Sequence, residues 1–180
     1  MKCASLALVI LTAIAFTNLQ AENPRDFTVQ SALDDTKFQL SENKGKVVVL
    51  HFLLKTECPY CLRYTHEYAK LAAQSPEVIH VFLKPDDVDE IKTWASHLDM
   101  ADLKQQPKIY RDADAKLAKQ FQIPGGYKFH GQTVHYPALV ALDGEGKELF
   151  RHVGKSNSDR LASGDFTKKL DAAMAKLNRK

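Results

Sequence analysis

Residues 47–61 constrain this chain more than any other stretch. Val47-Val48-Val49-Leu50-His51-Phe52-Leu53-Leu54 leads through Lys55-Thr56-Glu57 into Cys58-Pro59-Tyr60-Cys61. The first eight residues are nearly all apolar and rich in β-branched side chains, the pattern of a central strand covered on both faces, as in a parallel sheet. Pro59 suits the first turn of a helix, where its missing N–H and fixed φ cost least. Cys58 then sits at the helix N-terminus, with Cys61 one turn further on. Residues three apart share a helix face, so the two sulfurs are within reach of a small disulfide. Free backbone N–H groups and the positive end of the helix dipole favour a thiolate at Cys58, which predicts a lowered pKa and the better nucleophile there. The chemistry implied is that of a redox centre.

The chain's 180 residues are enough for one domain whose core needs no disulfide staples. A mild net charge of +3, with no Lys/Arg stripe interleaved with aromatics, gives nucleic-acid binding no support. Residues 1–21 read as a leader rather than as part of the fold: Lys2 gives a positive start, Cys3 to Phe16 is mostly apolar, and Leu19-Gln20-Ala21 offers a cleavage site before Glu22. The apolar run is short for a spanning helix, although a membrane anchor is the alternative. Removal of this segment leaves a domain of residues 22–180 whose thiols are Cys58 and Cys61 alone. A bridge enclosing two residues restrains the unfolded chain little, so stability explains it poorly and a catalytic or electron-carrying pair explains it better. Two thiols exclude a four-cysteine zinc site, and Leu62 excludes the haem-attachment pattern.

In chain order, Phe27-Thr28-Val29 and Lys37 to Leu40 predict short strands, and the helix from Pro59 is expected to reach Ala73. Glu77 to Leu83 predicts a second core strand, completing a βαβ unit with a parallel pair. Helices are expected from Pro85 to His97 and from Asp112 to Gln122, with a short strand at Lys108-Ile109-Tyr110 between them. Ile123 to His135 reads as a polar and aromatic loop. Tyr136 to Leu142 and Lys147 to Val153 flank Asp143-Gly144-Glu145-Gly146, a strong hairpin signal. A last helix carries Phe166, Leu170, Ala173, Met174 and Leu177 at helical spacing. These elements fit an α/β architecture with one mixed central sheet and helices on both faces.

The βαβ unit with C-x-x-C, the helical middle, and Tyr136-Pro137 leading into Ala-Leu-Val-Ala-Leu-Asp-Gly-Glu-Gly-Lys-Glu-Leu resemble the thioredoxin-like superfamily. More narrowly they resemble its redoxin branch, which holds exported thiol-disulfide oxidoreductases of the TlpA/ResA kind and the peroxiredoxins. The resemblance runs from Phe27 to Leu177. It implies a bacterial periplasmic thiol-disulfide oxidoreductase that uses no cofactor. Cys58 would attack, Cys61 would resolve, and the partners would be protein dithiols or disulfides, a membrane-bound redox protein among them. It also implies that Pro137 is a cis-proline beside the dithiol, leaving the N–H and carbonyl of Tyr136 free to pair with substrate; a trans proline at a strand start is the alternative. Two further readings stand beside this one: a peroxiredoxin-like peroxidase with Cys58 oxidised by peroxide, and a copper-handling module using both thiolates and a histidine such as His135.

Some residues depart from these patterns. Glu57 stands where the family usually has Trp, and its carboxylate would oppose a thiolate at Cys58. The peroxiredoxin pattern P-x-x-x-T-x-x-C is missing, because Thr56 is only two places before Cys58. His51 reads as a satisfied core histidine or as a proton relay. Arg160, in Ser-Asn-Ser-Asp-Arg, reads as a peroxide-stabilising arginine or as a solvated residue at a helix start. Tyr127, Phe129, His130 and His135 read as a partner-binding lip or as a loop packed on the domain, and Trp94 as a core anchor.

Overall fold

The computed structural model describes residues 26–55 and 58–177. The leader and Glu57 lie outside the described residues. In chain order the strands are β1 (Thr28–Gln30), β2 (Lys37–Gln39), β3 (Val47–Phe52), β4 (Val78–Lys84), β5 (Ile109–Arg111), β6 (Gly125–Phe129), β7 (Gln132–His135), β8 (Ala138–Leu142) and β9 (Glu148–Val153). The helices are α1 (Pro59–Gln74), α2 (Val88–Ala95), α3 (Lys116–Gln120) and α4 (Ser163–Leu177).

Every residue of β3 is buried, as its unbroken apolar run requires. The central sheet has the order β5-β4-β3-β8-β9. β4 pairs in parallel with both β3 and β5, while β8 runs antiparallel to β3 and β9. Alternate residues of β3 feed two separate cores. Val47 and Val49 pack with Tyr64 and Tyr68 of α1, Trp94 of α2 and Phe166 of α4. Val48, Leu50 and Phe52 pack on the other face with Phe27, Phe38, and with Leu117 and Phe121 around α3. Each fully buried Val or Leu contributes about 1.5–3 kcal/mol, so a strand buried on both faces adds substantially to the cohesion of the sheet.

The structure differs from the sequence reading in two segments. The helix expected from Asp112 is broken, because Asp114 and Ala115 adopt left-handed φ of 57° and 52°. The buried Asp112 carboxylate explains the break, since it accepts from Leu117 N (2.7 Å) and Ala118 N (3.0 Å) and so starts α3 late. The segment read as a loop from Ile123 is a hairpin in which β6 and β7 pair around His130-Gly131. Both turn residues have positive φ, 46° and 75°, as a two-residue hairpin turn demands. Histidine at the first of them gave no Asn-Gly or Asp-Gly signal to read.

After β9 the chain turns sharply at Gly154, whose N–H donates to the Pro137 carbonyl at 2.8 Å. A methyl group on Gly154 would lie 2.1 Å from the Asp159 carbonyl oxygen, so only glycine admits this approach. Gly154→Ala is expected to cost roughly 1–3 kcal/mol through overpacking, lowering the thermal midpoint by several degrees. An unchanged midpoint in thermal denaturation would show that the turn yields freely.

Candidate active site

The helix places the two cysteines at its start, as the sequence predicts. Cys58 is the N-cap of α1, in extended conformation, and Pro59 follows at the first helical position. Cys61 N donates to the Cys58 carbonyl at 3.0 Å, closing the first turn. Both thiols are free and almost wholly buried, with Cys58 1% and Cys61 0% exposed.

Arg160 is the group that the sequence left between two roles, and the structure places it on the sulfurs. Its Nη2 donates to Cys61 Sγ at 3.2 Å and to Cys58 Sγ at 3.6 Å. The guanidinium also lies over the Tyr64 ring, 5.4 Å from its centre. The strap between β9 and α4 holds it there. Arg160 Nε donates to the Asn157 carbonyl (3.1 Å), and Asn157 N donates to the Tyr127 hydroxyl of the β6–β7 hairpin (2.8 Å). Tyr68 of α1 donates to the Leu161 carbonyl at 3.0 Å, and Asp159 meets His152 at 3.2 Å. Tyr127 is therefore neither a free lip nor mere packing; it anchors the strap. Phe129 and His135 are buried and Trp94 is a core anchor.

A second cation approaches from β4. Lys84 is fully buried, donates to the Leu54 carbonyl (2.7 Å), pairs with Asp86 (3.1 Å) and stacks over Trp94 at 4.5 Å. The sequence signal for it was a charged residue ending an apolar strand, immediately before Pro85. Beside it, a cleft of ≈ 430 Å³ is lined by Lys55, Asp86, Glu90, Thr93, Phe129 and His130. Cys58 N donates to the Lys55 carbonyl at 3.2 Å, so one wall of the cleft adjoins the dithiol.

These charges divide the two thiols in the opposite sense from the helix-dipole expectation. Burial works against a thiolate at Cys61, but the hydrogen bond from Cys58, then Arg160 and Lys84, outweigh it and lower that thiol to about 6. Cys58 is pushed up, first by its hydrogen bond to Cys61 and then by burial. Arg160 lies nearer to Cys61 than to Cys58, so Cys61 is the thiol that the guanidinium favours as an anion.

Pro137 is a correction. The Tyr136–Pro137 bond is trans, and neither backbone group of Tyr136 is free. Its N–H donates to the Pro124 carbonyl at 2.8 Å, and its carbonyl lies 2.7 Å from His135 Nδ1. The β6–β7 hairpin occupies the Tyr136 N–H, because it returns the chain beside Pro124. Pro137 itself is buried and abuts Gly154.

His51 is wholly buried and uses both ring nitrogens, with Nδ1 3.0 Å from the Tyr64 hydroxyl and Nε2 2.9 Å from His80 Nδ1. Among the described residues no group of three or more His, Cys, Asp or Glu is placed to hold a metal ion.

Several solved structures resemble this one. A secreted disulfide oxidoreductase of Mycobacterium tuberculosis, homologous to Escherichia coli DsbE, superposes with a TM-score of 0.61 at 20% identity, covering 84% of this chain and 99% of that one. A yeast mitochondrial 1-Cys peroxiredoxin gives 0.72 at 15% identity over 85% of this chain and 75% of its own. The peroxidoxin BcpB of Mycobacterium tuberculosis gives 0.61 at 21% identity, with 83% and 92% covered. These likenesses establish the thioredoxin-like fold. No curated protein matches the chain in sequence. The model of the AhpC/TSA family matches residues 21–147, which hold the dithiol, its strand and the Tyr136-Pro137 segment; the chain belongs to the AhpC/TSA family of redoxins.

Proposed function

We propose that the chain is an exported thiol oxidoreductase that reduces small hydroperoxides with its Cys58–Cys61 pair. The observation that carries this reading is Arg160 Nη2 at 3.2 and 3.6 Å from two sulfurs that solvent hardly reaches. A fixed cation in a dry site stabilises a thiolate, and the charge that develops on a departing oxygen, far better than it would in water. The Cys61 thiolate attacks one peroxide oxygen. An S–O bond forms as the O–O bond breaks, giving a sulfenic acid and an alkoxide that leaves with a proton. The Cys58 thiol then attacks the sulfenic sulfur, and its proton leaves with the hydroxyl group as water. The peroxide gains two electrons and the dithiol becomes a disulfide. A partner dithiol protein, which a membrane-bound redox protein outside the cytoplasm would supply, restores the pair by exchange.

Disulfide exchange with protein substrates is the second reading. The C-x-x-C spacing and the likeness to a secreted disulfide oxidoreductase favour it. The burial of Cys58 and the engaged backbone of Tyr136 weigh against it, because an attacking thiolate needs an open, in-line path to the disulfide.

Rapid mixing of the reduced protein with hydrogen peroxide, and separately with a protein disulfide, tests the choice. Peroxide is expected to react faster, with C61S inert and C58S stopping at a trappable sulfenic acid. Faster reaction with the protein disulfide would favour exchange instead, and a C58S variant that loses the peroxide reaction would move the attacking role from Cys61 to Cys58. The pH profile gives a second check. Because the lowered thiol ionises near 6, reactivity should rise with pH through that range and then level off. Arg160→Met should move the rise to more alkaline pH, followed by thiolate absorbance. An unmoved titration would assign the acidity to the helix terminus rather than to Arg160.

A further inference from the structure

Re-reduction of the pair meets an obstacle that oxidation by a small peroxide does not. Both cysteines are almost wholly buried, so a dithiol protein has no open path to a disulfide between them. The strap, residues 154–162 between β9 and α4, closes one side of the site. Its Arg160 Nη2 lies on both sulfurs, and its Leu161 is buried in the same cluster as the two cysteines.

The strap is a lightly held segment. Gly-Lys-Ser-Asn-Ser-Asp-Arg contains no large apolar side chain before Leu161, so little hydrophobic burial fixes it. At its root, Gly154 N donates to the Pro137 carbonyl. Further on, Asn157 N donates to Tyr127, the Leu161 carbonyl accepts from Tyr68, and Asp159 meets His152. Other polar contacts are internal to the strap. Lys155 N donates to the Asp159 carboxylate at 2.8 Å, Asp159 N to the Ser156 hydroxyl at 3.2 Å, and Arg160 Nε to the Asn157 carbonyl. None of these partners changes when the cysteines are oxidised. The contacts from Arg160 to the sulfurs do change.

We infer that Arg160 makes the strap a redox-sensitive cover, docked over the dithiol while Cys61 is an anion and released when the two sulfurs form a disulfide. In oxidation by hydrogen peroxide, the Cys61 thiolate and the Cys58 thiol give up two electrons and one proton, and an S–S bond forms. The peroxide leaves as water and hydroxide, and the negative charge of Cys61 leaves with the hydroxide. A charge-assisted bond from Arg160 is thereby replaced by contact with a neutral disulfide, a much weaker acceptor. The half-buried guanidinium then gains more from water than from the site. Outward movement of the strap hydrates Arg160 and opens the disulfide to a thiolate of the partner protein. That thiolate attacks one sulfur, the other leaves as a thiolate, and the partner's second thiol displaces the mixed disulfide. The restored thiolate draws Arg160 back. The cover is closed on the form that meets peroxide and open on the form that meets the partner. The inference rests on the pair cycling between dithiol and disulfide, and not on which oxidant drives the cycle.

Hydrogen–deuterium exchange of residues 155–161, read by mass spectrometry at one pH above the ionisation of Cys61, tests the cover. Three proteins are compared: wild type reduced and oxidised, the double variant C58S/C61S, and R160M. In wild type, oxidation is expected to speed exchange of the strap on the order of 10-fold and to leave β3 and β4 unchanged. The double variant should exchange at the oxidised rate even under reductant, because its hydroxyls carry no charge. R160M should exchange fast in both states. Equal strap exchange in reduced and oxidised wild type overturns the inference. So does slow exchange in C58S/C61S, or an R160M strap that still responds to oxidation. If hydrogen peroxide leaves the pair reduced, the peroxide reading fails by itself. The disulfide is then formed with diamide, and the same comparison decides the cover.

Discussion

Everything distinctive about this molecule depends on one guanidinium held against two sulfurs. A helix terminus alone would favour a thiolate at its first cysteine. Arg160 overrides that preference by lying nearer to the second sulfur, and Lys84 reinforces it from β4. An arginine suits this position because its fork can donate to sulfur, bond the Asn157 carbonyl and stack on Tyr64 at once. Lysine could do only one of these well. The strap that carries Arg160 is in turn anchored by Tyr127 of the β6–β7 hairpin, Tyr68 of α1 and the Gly154 turn, so three separate parts of the fold contribute to the acidity of one thiol.

Burial gives that charge its effect. In a dry site, each fixed cation interacts several-fold more strongly with a thiolate than it would at the surface. The same burial restricts what can reach the sulfurs and makes proton supply a structural problem rather than a gift of solvent. A cleft beside Lys55 adjoins the backbone of Cys58.

The elements near the dithiol were legible in the sequence because their signals are local. The unbroken run of β3, the Pro59 start of α1 and the Gly-rich turn before β9 each depend on adjacent residues, and each forms as expected. Cys58 and Cys61 were legible by their spacing. What escaped was non-local or lacked the usual turn residues. His130-Gly131 makes a tight turn without asparagine or aspartate, so the hairpin passed for a loop, and the loss of a free Tyr136 backbone could not be foreseen. Arg160 was visible only as two alternatives, because nothing in a linear chain shows which charge will meet which sulfur. Lys84 and the partnership of His51 with His80 come from the register of β3 against β4, a property of pairing rather than of either strand.

The separation along the chain between Arg160 and the thiols has a consequence for when the site exists. Arg160 lies 102 residues after Cys58 and 99 after Cys61, on a strap that follows the last strand. A chain being synthesised exposes its cysteines well before that arginine emerges. Until β9 is paired and the strap is docked, they are two ordinary thiols, slow to react with oxidants at neutral pH. The charge that lowers the Cys61 thiol thus comes from the far end of the domain and acts only once the strap has docked.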